Sequence, residues 1–206
     1  MHPAAFLHSL FLCTFSNTIV NISGTKNKFH QISHGNPYSR QLPLLCRSNR
    51  IGKGAQKEAM QEGSRMHRKI QGRMGMEYRA EVPLKLEVPQ EQYVLALEGR
   101  ADGIITNADG VTVDEIKCMY TDVTRFEEPI FVHKAQAMCY AYIYALQNGL
   151  DQISVQQTYC DLDTEEICRF EEAFSFFWLE RWFQDMMEAY RKWTDFPQQH
   201  GLPETA

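Results

Sequence analysis

The stretch Val113-Asp114-Glu115-Ile116-Lys117-Cys118, VDEIKC, sets two acids and a lysine into what otherwise reads as a buried strand. Side chains alternate along a strand, so Glu115 and Lys117 share a face with Val111 and Val113, while Asp114 and Ile116 point the other way. Upstream, Asn107-Ala108-Asp109-Gly110 is a turn signal that folds this strand back on QYVLALEGRADGIITN, residues 92–107. If all four residues form the loop, Thr106 faces Val111 and Asp102 faces Glu115. If Asp109-Gly110 alone is the turn, Asp102 faces Lys117. Both registers put Asp102, Glu115 and Lys117 on one face, with Asp114 left to a structural role. Opposed Cβ atoms lie about 5 Å apart, and carboxylates that close repel unless something neutralises them. A divalent cation does so: Asp102, Glu115 and a main-chain carbonyl such as that of Ile116 give the partial oxygen shell that Mg²⁺ accepts. A lysine beside it orients water and stabilises charge developing on a phosphate, which suits phosphodiester hydrolysis. The competing reading of the same charges is a surface ion pair at the end of a sheet.

Working outward, residues 54–74 read as a helix with apolar positions at Ala59, Met60, Met66 and Ile70 and an internal Gly63. Two strand-like pieces, YRAEVPLKLEV and QYVLALEGRADGIITN, flank Pro89, and the VDEIKC strand follows. PIFVHKAQAMCYAYIYALQN, residues 129–148, has the length of a largely buried helix closed by Gly149. QISVQQTYC is a fourth strand, after which Asp163-Thr164-Glu165-Glu166 opens a long terminal helix whose aromatic and Met stripe reads as core. The order α-β-β-β-α-β-α predicts an α/β (α+β) fold, with a mixed central sheet of about four strands flanked by helices.

The 44% hydrophobic and 12% aromatic content fits an ordinary globular protein rather than a disordered one. The charge is uneven. Residues 1–57 hold seven Lys or Arg and no acid, which leaves 14 basic and all 26 acidic residues after them, a balance of −12. Residues 1–50 therefore read as an atypical, poorly ordered extension, 51–196 as one domain and 197–206 as a tail. The opening apolar run lacks the early basic residue and small-residue cleavage site of a secretory signal, and is too short to span a membrane. Cysteines 13, 46, 118, 139, 160 and 168 include no C-x-x-C pair, so free thiols in a cytoplasmic protein are expected, with no zinc ribbon or iron–sulfur cluster. Ile51-Gly52-Lys53-Gly54 does not make a phosphate-binding loop for ATP.

Two further groups complete a pattern. Gln136 and Tyr140, four apart, lie on one helical face, and His67 sits among Arg65, Arg68, Lys69 and Arg73 on the first helix. In chain order these give G-x-x-x-H (Gly63 to His67), G-x-x-D (Gly99 to Asp102), E-x-K (Glu115 to Lys117) and Q-x-x-x-Y (Gln136 to Tyr140). This set resembles the RecB-like branch of the PD-(D/E)XK nuclease superfamily. Within that branch, EGRADGI, VDEIK and QAMCYAYIYA look most like the N-terminal nuclease-like module of bacterial DinG-type DNA helicases. The resemblance covers about residues 51–196 and implies a restriction-endonuclease-like core. It makes Asp102 and Glu115 metal ligands, His67 a further ligand and Lys117 the lysine that positions the attacking water. Gln136 and Tyr140 become the supporting helix motif, Mg²⁺ or Mn²⁺ the cofactor and DNA the substrate. Glu81 is a further candidate to join the site from the first strand, but no motif places it.

The chain departs from that family in having no helicase motor and no terminal cysteine cluster, so a separate helicase partner is one expectation. The other is a non-catalytic DNA-binding or helicase-docking module that retains the fold. An acidic domain holds DNA only if charge is segregated. Arg65, Arg68, Lys69 and Arg73, with Arg79 and Lys85, are the basic lip that would do so.

Overall fold

The computed structural model describes residues 19–24, 27–31, 53–89 and 93–199. It is a mixed α/β fold in three layers. Helix α1 (Lys53–Gln71) covers one face of the sheet, and helices α2 (Phe131–Asn148) and α3 (Phe176–Gln199) cover the other. The sheet strands are β1 (Ile19–Gly24), β2 (Asn27–Gln31), β3 (Tyr78–Pro89), β4 (Tyr93–Asn107), β5 (Gly110–Met119), β6 (Gln152–Asp161) and β7 (Ile167–Ser175). They run in the order β2-β1-β4-β5-β6-β7, with β3 on the other edge of β4. Among the described residues only β5 and β6 pair in parallel, joined by a crossover through α2.

The larger core lies between the sheet and α2/α3, where Leu97, Ile104, Val113 and Val155 meet Ala137, Ala141, Leu179 and Phe183. On the other face α1 offers a narrow stripe: Met66 and Ile70, one turn apart, pack on Ile116 and Cys160. Met60, read from sequence as part of that stripe, is exposed. Helix α2 ends at Gly149, whose left-handed backbone (φ 63°) lets its N–H reach the Ala145 carbonyl. Its other end, at Ile130, has no capping side chain of its own. The Tyr159 hydroxyl accepts the Ile130 N–H from β6 at 2.9 Å.

The hairpin adopts the first of the two registers, with a tighter turn than the four-residue loop, since Asn107 pairs with Gly110. Thr106 pairs with Val111 and Gly103 with Asp114, and the Asp109 N–H is held by Asn107 Oδ1 at 3.0 Å. The strand count differs from expectation. Five strands lie between residues 53 and 199 instead of about four, because residues 167–175 form β7 rather than the start of the last helix. Ile167, Phe170 and Phe174 have spacing that suits a helix, but the Asp161–Glu166 turn brings the segment onto β6, where it pairs from Cys160↔Ile167 to Gln152↔Ser175. Within the N-terminal extension, residues 19–24 and 27–31 form a hairpin that lengthens the sheet. The rest of that extension, and the tail from residue 200, lie outside the described residues. Among the described residues no helix is long and apolar enough to cross a membrane.

Candidate functional site

The site lies where the ladder around β4 opens. Along one edge β4 pairs with β1 as far as Glu98 and with β5 from Gly103 onward, which leaves Gly99-Arg100-Ala101-Asp102 between the two. Along the other edge the β3 ladder passes from Ala80↔Gly103 to Val82↔Ala101 with no pair at Glu81. Glu81 has a left-handed backbone, φ 56°. For a residue with a Cβ this costs on the order of 1–3 kcal/mol and persists only where its surroundings impose it.

Asp102 uses the opening. A continuous ladder would pair the Ile116 N–H with the main chain of β4, but this N–H donates to Asp102 Oδ2 at 2.7 Å. The N–H and C=O of one strand residue point to the same side, so the Ile116 carbonyl turns toward this edge as well. His67 Nε2 reaches the same carboxylate oxygen at 3.0 Å from α1, on the opposite face from α2. Glu81 stands 3.9 Å from His67 Nδ1 and is steadied by Gln71 Nε2 at 3.0 Å and Arg100 at 3.2 Å. Gln71 also donates to the Asp102 carbonyl, tying α1 to the opening. His67, Glu81 and Asp102 present ligand atoms within 4.8 Å of one another. Burial opposes protonation of His67, yet the hydrogen bond and charge of Asp102, with Glu81 and Glu115, raise its pKa.

Beside this cluster lies a second, drier one. Glu115 is 1% exposed and Lys117 Nζ donates to its Oε1 at 2.5 Å. Lys117 also donates to Gln136 Oε1 at 3.3 Å, and Gln136 Nε2 reaches the Tyr140 hydroxyl at 3.5 Å. The helical pair of the sequence pattern thus closes over the lysine from α2, fully buried. Burial drives the Glu115 carboxyl well above the ordinary carboxylate range, Lys117 pulls it back and Asp102 pushes it up again. Burial opposes the charge on Lys117, but Glu115 and Asp102 outweigh it and raise its pKa. Glu115 Oε2 is sealed from solvent and has no hydrogen-bond partner. A buried carboxylate oxygen left unmatched costs free energy that a cation would recover.

Glu115 lies beside the His67–Glu81–Asp102 cluster, with one oxygen held by Lys117 and the other unpartnered. Glu81, which no motif placed, occupies the outer position through its left-handed backbone. The oxygen-rich set with one imidazole fits Mg²⁺ or Mn²⁺ better than a thiolate-loving metal. Asp114, on the opposite face, has a structural role: it is fully buried and accepts from Thr158 (2.7 Å), Gln156 (3.0 Å) and the Tyr78 hydroxyl (3.3 Å).

The basic lip is largely engaged within the molecule. Arg65 pairs with Glu62 at 2.6 Å, Lys69 with Glu165 of the β6–β7 turn, and Lys85 with Glu98 at 2.9 Å. Arg79 lies against the Tyr144 ring. Arg68 and Arg73 form no ion pair within 4 Å among the described residues, and both are exposed.

No protein-family model matches the chain, and no curated protein does. Among solved structures, the crystal structure of SSO0001 is similar with a TM-score of 0.44 and 21% identity. The alignment covers 63% of this chain and 60% of that one, so the chain spans less than two thirds of that protein.

Proposed function

We propose that this chain is a metal-dependent DNA nuclease of the RecB-like PD-(D/E)XK type, with a restriction-endonuclease-like core, acting in the cytoplasm in DNA repair or processing beside a DinG-type helicase. The observation that carries this reading is the buried, unpartnered Glu115 Oε2 beside Lys117 and the His67–Glu81–Asp102 cluster. His67, Glu81 and Asp102 would hold Mg²⁺ or Mn²⁺, with Glu115 turning its free oxygen and Ile116 its carbonyl toward the same place. A bound ion of this kind polarises a phosphoryl oxygen and makes water a nucleophile at neutral pH. Protonated Lys117 orients the attacking water and stabilises negative charge on the phosphate. Gln136 fixes the lysine amine, and Tyr140 steadies Gln136. Arg68 and Arg73 supply phosphate contacts, so DNA affinity is modest and falls with salt.

Cleavage of single-stranded, duplex and flapped DNA with Mg²⁺ or Mn²⁺ tests this. Lys117→Ala should abolish turnover while circular dichroism and thermal unfolding show a folded protein. No cleavage of any of the three with either metal sinks the catalytic reading. A second reading is a non-catalytic DNA-binding or helicase-docking module, and the internal pairing of Arg65 and Lys69, which weakens the phosphate-binding lip, favours docking over DNA binding within it. That module would bind DNA or a helicase with an affinity independent of metal and without turnover.

A further inference from the structure

Gln157 in β6 faces Glu115 across the parallel ladder, in register and therefore on the same face of the sheet. Its side chain is 3% exposed, and its Nε2 is sealed from solvent with no hydrogen-bond partner. A buried donor and a buried acceptor, each unmatched, thus occupy directly paired positions on adjacent strands. Along the sheet itself the amide has few other partners. Val155 and Tyr159 flank Gln157 on its own face of β6, Phe170 is its partner on β7, and the neighbouring polar residues Gln156 and Thr158 are committed to Asp114 on the opposite face. Leaving one buried polar atom unmatched is costly, and these two stand at facing positions where each could satisfy the other.

We propose that Gln157 is a positioning residue for Glu115: when a divalent cation occupies the site, the Gln157 amide donates to the Glu115 carboxylate and fixes its orientation toward the ion. This rests on the cation reading given above. Hydrogen bonds to a ligating carboxylate from residues outside the ligand set orient it and raise metal affinity, and their loss typically costs about 10–100-fold in binding. Gln157 would thus be the partner from β6, as Gln136 is the partner of Lys117 from α2.

The test is direct Mn²⁺ binding to the full chain, followed by electron paramagnetic resonance of the free ion, with no nucleic acid present. Gln157→Leu should weaken Mn²⁺ binding about 10-fold, and Gln157→Met, closer to Gln in length and also without a donor, should do the same if the leucine variant fails to fold. In a Glu115→Gln background, where the carboxylate is gone, the same substitutions should change the affinity less than about 2-fold, as expected for a residue that acts through its partner. Wild-type binding that the Gln157 substitutions leave unchanged overturns the Gln157 assignment alone. An equal loss in both backgrounds does the same. A wild-type chain that binds no Mn²⁺ overturns the cation reading and this assignment together.

Discussion

Gly103→Ala should be among the most disruptive single-methyl changes in this protein, and the reason is Tyr78. An ideal Cβ built on Gly103 would lie 1.9 Å from Tyr78 Cζ and 2.0 Å from its hydroxyl oxygen. The Gly103 backbone is not left-handed, so alanine fits the main chain and the obstacle is the ring alone. Tyr78 lies on β3, diagonal to Gly103, and crosses the glycine to donate to Asp114 Oδ2 at 3.3 Å. The methyl must displace the ring, which removes a hydrogen bond to a buried carboxyl and disturbs the packing around it. Together these give a loss of about 2–4 kcal/mol, or a fall in the unfolding midpoint of roughly 5–15 °C for a chain of this size. Urea denaturation with an unchanged slope is the assay. In a Tyr78→Ala background the clash is gone, and Gly103→Ala should become neutral or stabilising by up to about 1 kcal/mol, since glycine is a poor strand residue. Equal costs in the two backgrounds would refute the claim that the ring sits over this glycine.

Glu81→Gly should separate stability from metal binding. It relieves a left-handed backbone worth on the order of 1 kcal/mol but removes a carboxylate from the cluster, so the variant should unfold later and bind Mn²⁺ about 10-fold more weakly. A variant that is less stable, or that binds equally well, counts against the role given to Glu81. Burial, aided by the charge of Lys117, pushes the His133 pKa down to about 4. Between that value and its ordinary 6.5 the unfolded chain binds the proton and the folded one does not, so stability is lost as pH falls through this window. The loss amounts to about 3 kcal/mol between pH 7 and 4; urea midpoints over that range should fall less steeply in His133→Gln. Gly63→Ala should stabilise helix α1 by up to about 1 kcal/mol, because nothing lies within 4 Å of the position of its Cβ. A destabilised variant in thermal unfolding would mean that this glycine meets something in the folded protein.

Much of the site was legible because strand alternation and helical spacing are local rules. VDEIKC divided its charges between two faces, the turn signal at residues 107–110 left two registers that both put Asp102, Glu115 and Lys117 together, and Gln136 and Tyr140 fell on one face of α2. What escaped depended on distant partners. The Glu62–Arg65 pair is three residues apart and visible in a helix, whereas Lys69 meets Glu165 across 96 residues. Segment 167–175 has glutamates and aromatics at spacings a helix would accept, and only its docking on β6 makes it a strand. Glu81 was unreadable because its place follows from a backbone twist that many sequences avoid. Nothing in QISVQQTYC marks Gln157; only the parallel register sets it against Glu115.

The twist at Glu81 also bears on how this protein would age under mutation. A position that is easier for glycine than for glutamate drifts toward glycine or asparagine once nothing holds the carboxylate there. Among relatives of this chain, position 81 should therefore stay acidic where His67, Asp102, Glu115 and Lys117 are all kept, and relax where any of them is lost. A single column in a collection of such sequences would then separate lineages that still use the opening in the sheet from those that merely inherited it.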